Sequence, residues 1–335
     1  MAIRGRPAQP GDIRKCVEVV CAHPVLRHRY AEILADLPYV MESLRGREAF
    51  ACTVFEEVEQ FPRILGGSVS TFVQESFFRE IKTPPSFWGT PEIVRRELKG
   101  ESVILSDSEV LRANAGDGLN MFIWHLGVLN EDAEHLEVAA SMLNSFVNIF
   151  RGYNLKEFLG QPDTQNHFIG MRNAGGIVIR PSDGRYADYH ESIDVDVTKV
   201  PVSVGITREL AQRASIGSWI SSLFQYSSPQ MGLSRAQQRL LSAALAGHTD
   251  EELGGELGIS LFTVKKVWRE IDRRAAEKLP VQFANFFEEN QAQHRGRQKR
   301  HHLLAYLHEH PEELRPILRQ ATPSTHAVPR PHLLH

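Results

Sequence analysis

Apolar positions follow two different periods along this chain. Over the first two hundred residues they cluster into short runs. Phe50 to Val58 and Ile64 to Val73 are rich in β-branched and aromatic residues and predict two strands around a polar, proline-containing turn. The Gly66-Gly67 pair inside the second predicts a bulge. Asn120 to Leu129 is almost continuously apolar, which predicts a buried central strand. Ala2 to Arg6 and Ile177 to Arg180 read as shorter strands. Helical spacing appears from Asp12 onward through Ile13, Val17 and Val20. It returns over Val25 to Ala35, Pro91 to Leu98 and Glu137 to Phe150. The domain closes on Phe168 to Met171 and a Gly175-Gly176 pair. Residues 1–200 are therefore expected to form a mixed α/β domain.

Asp194 to Val204 is acidic and extended, Thr207 to Phe224 is helical, and Tyr226 to Gly232 is a flexible linker, so 201–232 connects two units. From Leu233 the helical period takes over. Ser234 with Gln237 forms a capping box and opens a helix that Gly247 ends. Thr249 with Glu252 repeats the device for a short helix that stops at Gly258, and Ser260 caps a third. Two short helices joined by a glycine-containing turn are the signature of a helix-turn-helix. In the third helix Val264, Val267, Trp268, Ile271 and Ala275 make one apolar stripe. Phe262, Lys265, Lys266, Arg269 and Arg273 fall on the opposite side.

Charge sharpens this reading. From Ser260 to Lys278 there are six Lys or Arg against three acids, while the 335-residue chain carries a net charge of -3. Attraction to nucleic acid is therefore local. A helix with one face in its own core and cations on the other is suited to a DNA major groove. The segment resembles the LuxR-type DNA-binding domain over 233–280. Leu233-Ser234, Gly247, Glu252-Leu253, Leu257-Gly258-Ile259-Ser260 and Thr263-Val264-Lys265 carry the resemblance, in register without a gap. It departs at Ala236-Gln237, at Val267 and at the large Phe262, which bears on the bases read. Region 4 of sigma factors has a similar motif, but the large α/β domain upstream leaves no second promoter-binding region. Base contacts are expected from the third helix. Phosphate contacts are expected from Thr249, Thr263 and the basic run Arg295, Arg297, Lys299 and Arg300. That run has an alternative reading as a solvated helix start.

The first domain resembles the GNAT acyltransferase fold. Arg6-Pro7-Ala8-Gln9-Pro10-Gly11-Asp12 is similar to its opening strand-to-helix turn, Asn173-Ala174-Gly175-Gly176 to its late turn, and NMFIWHLGVL to its fourth strand. An active member presents a glycine-containing loop to the coenzyme A pyrophosphate. Here Asn130-Glu131-Asp132-Ala133-Glu134 stands in that place, with three acids and no glycine. The resemblance thus implies a scaffold without catalytic residues or a bound cofactor, and an active acyltransferase is the alternative. His125 is expected to be a packing residue, Glu56 and Glu57 edge charges, and Tyr186 and Tyr189 surface residues.

In 281–320, Phe283, Phe286 and Phe287 either pair two protomers or cap the core of one. Leu303, Leu304, Tyr306 and Leu307 form an amphipathic helix, Pro311 starts another, and 321–335 is expected to be disordered. Three cysteines suggest free thiols, with neither disulfide framework nor metal site. No apolar run approaches the roughly 20 residues of a membrane span, and the polar N-terminus has no secretory apolar region. The expected molecule is a cytoplasmic transcription regulator, an α/β GNAT-like domain joined to an all-α LuxR-type one. Its expected partners are double-stranded DNA, a second copy of itself and RNA polymerase, and no membrane.

Overall fold

The apolar stretch at the middle of the first domain is its central strand. In the computed structural model, which describes residues 3–57, 63–128, 136–188, 191, 193–213, 219–287 and 295–317, Leu119–Val128 forms β4. It is the fourth of seven strands in one sheet. The others are β1 (Ile3–Pro7), β2 (Phe50–Glu57), β3 (Arg63–Val73), β5 (Leu155–Gly160), β6 (Ile177–Val178) and β7 (Val204–Thr207), and their order is β1-β2-β3-β4-β5-β7-β6. Every pairing is antiparallel except β4 with β5. Both faces of β4 are covered, so Leu119, Met121 and Phe122 are fully buried without alternating with polar residues.

Helices cover the sheet: α1 (Asp12–Ala22), α2 (Pro24–Arg29), α3 (Leu37–Leu44), α4 (Glu75–Lys82), α5 (Gly89–Lys99), α6 (Asp107–Ala115), α7 (Leu136–Phe150) and α8 (Gln165–Asn173). The expected helix over 25–35 ends early, at Arg29, and Pro38 near the start of α3 marks the second piece. Phe168 to Met171 lies in α8. The bulge falls at Leu65, beside the Gly66-Gly67 pair, where Phe55 faces Gly66 and Glu56 faces Ile64. The sheet also runs past the expected boundary at 200, because β7 is inserted between β5 and β6.

Glu56 and Glu57 do not sit on a sheet edge: β1 pairs outside β2, and Glu56 is 8% exposed and joined to Arg6 at 2.9 Å. Tyr186 is not a surface residue either. Its hydroxyl donates to Glu157 at 2.6 Å, and Lys82 completes that cluster at 2.8 Å. Tyr189 lies outside the described residues.

Two short helices, α9 (Arg208–Arg213) and α10 (Trp219–Leu223), lead to the helical unit. It contains α11 (Arg235–Leu245), α12 (Asp250–Leu257), α13 (Leu261–Lys278), α14 (Pro280–Phe287), α15 (Arg295–Glu309) and a 3-10 turn at Pro311–Leu314. Its own core gathers Leu240, Leu241, Leu253, Val264, Trp268, Ile271, Phe283, Leu303 and Leu307. Phe283 is buried there, 5.7 Å from the Tyr306 ring, so this aromatic caps its own protomer. The side chains of Phe286 and Phe287, and residues 321–335, lie outside the described residues.

The two units are joined by specific contacts. Glu48 accepts from the Tyr153 hydroxyl at 2.6 Å and pairs with Arg235. The Arg315 guanidinium lies 4.7 Å from the Tyr153 ring centroid and donates to the Arg151 and Asn148 carbonyls at 2.8 and 3.0 Å. Gly152, at φ 81°, lets the Pro311-Glu312 backbone approach where any side chain would overlap it.

Candidate nucleic-acid interface and a cavity in the sheet domain

Capping defines the helical unit. Ser234 and Gln237 form a reciprocal capping box at α11, and Thr249 and Glu252 form one at α12. Gly258 ends α12 at φ 64°, and the Ile259 N–H returns to the Gly254 carbonyl at 2.9 Å, which turns the chain into α13. Ser260 accepts from the Thr263 N–H at 3.1 Å. The Thr249 and Thr263 hydroxyls are thus already engaged in starting helices, Thr263 with Ser260 at 2.9 Å.

Four of the five stripe residues of α13 are buried, Val264, Trp268, Ile271 and Ala275 at no more than 4% exposed, and Val267 is half-buried against the same core. The opposite side is open. Phe262 is 74% exposed, and Lys265, Lys266 and Arg269 are exposed too. Among the described residues no carboxylate pairs with Lys265, Lys266 or Arg269. Two other cations of this helix are committed. Arg273 pairs with Glu277 at 2.5 Å, and Arg274 donates to the Gly232 carbonyl at 2.7 Å, fastening α13 to the linker.

Arg300 turns inward. Its guanidinium pairs with Asp250 at 2.9 Å and lies 4.2 Å from the Trp268 ring centroid. Trp268 Nε1 donates to the same Asp250 carboxylate at 3.2 Å. Burial pushes the Asp272 carboxyl up, only partly offset by the charges of Lys299 and Arg300. The Arg295 and Arg297 side chains lie outside the described residues.

The α/β domain contains a space of a different character, partly open to solvent. Parallel pairing of β4 with β5 stops at Ile123 opposite Gly160. Beyond that point His125–Gly127 and Gln161–Asp163 diverge, leaving a cavity of about 310 Å³. Tyr30, Trp124, Met142, Phe146, Phe158 and Ile220 supply much of its apolar wall. His125, Asp163 and His167 form its polar end. Asp163 binds His167 Nδ1 through one oxygen, and its other oxygen is 3.6 Å from His125 Nδ1. Gly127 leaves room for this group, since a Cβ there would come within 2.8 Å of His125 Nε2.

Burial pushes His125 down to about 4, more than the Asp163 charge pulls it up, so it is neutral near pH 7. Burial would raise Asp163, but the His167 hydrogen bond and the nearby imidazole charges hold it at about 2. His125 is therefore more than a packing residue: it lines a cavity beside a buried carboxylate. Asp163 and His167 were missed in the sequence, although their four-residue spacing across the Thr164 helix cap puts both at one helix start. The loop Asn130–Glu134 lies outside the described residues.

No family model matches the chain, and neither the curated proteins nor the solved structures include a significant match.

Proposed function

We propose that this chain is a DNA-binding transcription regulator in which α13 enters the major groove. The observation that carries the reading is the division of that helix. Its apolar stripe is locked into a small core, while Lys265, Lys266 and Arg269 stand outward beside exposed Phe262. Such a face supplies donors for base edges and cations for phosphates. The three capped helix starts support the LuxR-type reading. The strand order with its single parallel pair supports the GNAT-like reading of the first domain. In this proposal the protein binds as a homodimer in the cytoplasm, meets RNA polymerase at the promoter, and uses its first domain to sense or to set dimer geometry.

An active acyltransferase carrying a DNA-binding domain is the second reading, favoured by the His125–Asp163 pair where β4 leaves β5. Genome-wide recovery of DNA bound to the tagged protein tests the first reading. Enrichment at a shared sequence is expected, and uniform recovery would count against it. Micromolar binding of acetyl-coenzyme A to the full chain would favour the second.

A further inference from the structure

We propose that the cavity between β4 and β5 is a regulatory site for a small, mainly apolar molecule carrying one hydrogen-bond donor. Its volume, about 310 Å³, is at the lower end of small-molecule sites. Aromatic and aliphatic side chains form most of the wall, so burial of apolar ligand surface supplies the driving force. Its acid and imidazole groups gather in one place, Asp163 with His125 and His167. There the Asp163 carboxylate and the neutral His125 imidazole offer acceptors to a hydroxyl or N–H group. An anionic head would meet the Asp163 charge and is disfavoured.

The position of the cavity gives it a regulatory character, and this part rests on the DNA-binding reading above. Met142, Leu143 and Phe146 of α7 and Ile220 of α10 all line it. Both helices lead directly to the anchorage of the helical unit. At the end of α7, the Asn148 and Arg151 carbonyls accept from Arg315. After α10, the linker is held where Glu313 accepts the Gln230 and Met231 N–H groups at 2.7 and 2.9 Å. A ligand that shifts α7 against α10 acts on both attachments. By linkage, DNA must then change ligand affinity by the factor with which ligand changes DNA affinity.

The test uses the full chain with indole and with indene, a near-isostere lacking the N–H. Ligand-observed NMR titration should give indole a dissociation constant of about 1 mM or tighter, with indene at least about fivefold weaker. Leu143 is half-buried at the wall, and Leu143→Trp fills the space; indole affinity should fall about tenfold with the melting temperature retained. Asp163→Asn should narrow the gap between indole and indene, an effect that general loosening would not produce. No indole binding, or binding unchanged in both variants, overturns the site. Displacement of indole by micromolar acetyl-coenzyme A overturns the ligand class. Affinity for duplex DNA, measured with and without saturating indole, should differ at least about twofold; equal values overturn the regulatory role. A chain that binds no DNA under any condition would sink the regulator reading, while the titrations still decide the cavity.

Discussion

Arg300 stacks on Trp268, its guanidinium 4.2 Å from the indole centroid, and both side chains share the Asp250 carboxylate. This contact ties α15 to α12 and α13. It also gives one member of the basic run a structural task. Arg300→Gln should lower the stability of the helical unit by about 1 kcal/mol, the scale of a partly exposed cation–π contact and ion pair. Urea unfolding checks this. Lys299→Gln, if Lys299 meets phosphate, should instead make the salt dependence of DNA binding shallower by about one unit. A similar shallower slope for Arg300→Gln with unchanged stability would assign Arg300 to phosphate.

Glu313 holds the linker to the 3-10 turn, and the sequence around it suggested only a helix start. The residue is 1% exposed and its carboxylate accepts two backbone N–H groups. Glu313→Ala leaves those donors without their acceptor, and should cost about 2–3 kcal/mol. Limited proteolysis should then cut first within 226–232. Unchanged cleavage sites and stability would show the linker to be held by other contacts.

How much of this was legible follows the range of the interactions. Helix caps are local, so Ser234, Thr249 and Ser260 announced three helix starts that the structure places at those residues. The central strand was legible because burial on both faces leaves an unbroken apolar run. The Ser106–Glu109 capping box that opens α6 was equally readable and was overlooked. By contrast β5, Leu155–Gly160, is a six-residue run broken by Lys156 and Glu157. Glu157 is buried because Lys82 and Tyr186, 75 and 29 residues away, converge on it. No local pattern carries that. The cavity is hidden for the same reason, since it exists only where β4 and β5 part.

The acid limb of stability reports on the cavity. His125 has its folded value lowered, to about 4 from 6.5, so between those values the unfolded chain binds the extra proton. Stability is thus fully present above about pH 6.5 and is lost as pH falls towards 4, by about 2–4 kcal/mol. Asp163, lowered from 3.8 to about 2, adds a further loss only below about pH 4. His125→Gln should flatten the upper limb. Equilibrium unfolding across pH 4 to 7 measures it, and equal slopes in both proteins would place His125 in contact with solvent.

The two sides of α13 have separate tasks, packing on one and DNA contact on the other in the proposed function. Trp268 is 4% exposed, and Trp268→Ala should cost about 3–5 kcal/mol through the cavity it leaves. Lys265 and Arg269 are one turn apart on the exposed side, so their removal should leave stability nearly unchanged. The most direct measurement is the affinity of folded Lys265→Ala and Arg269→Ala proteins for the native operator, beside their melting curves. Each should lose roughly 1–3 kcal/mol of binding with its melting temperature retained. Normal operator binding by both folded variants would contradict the assignment of α13 as the reading helix.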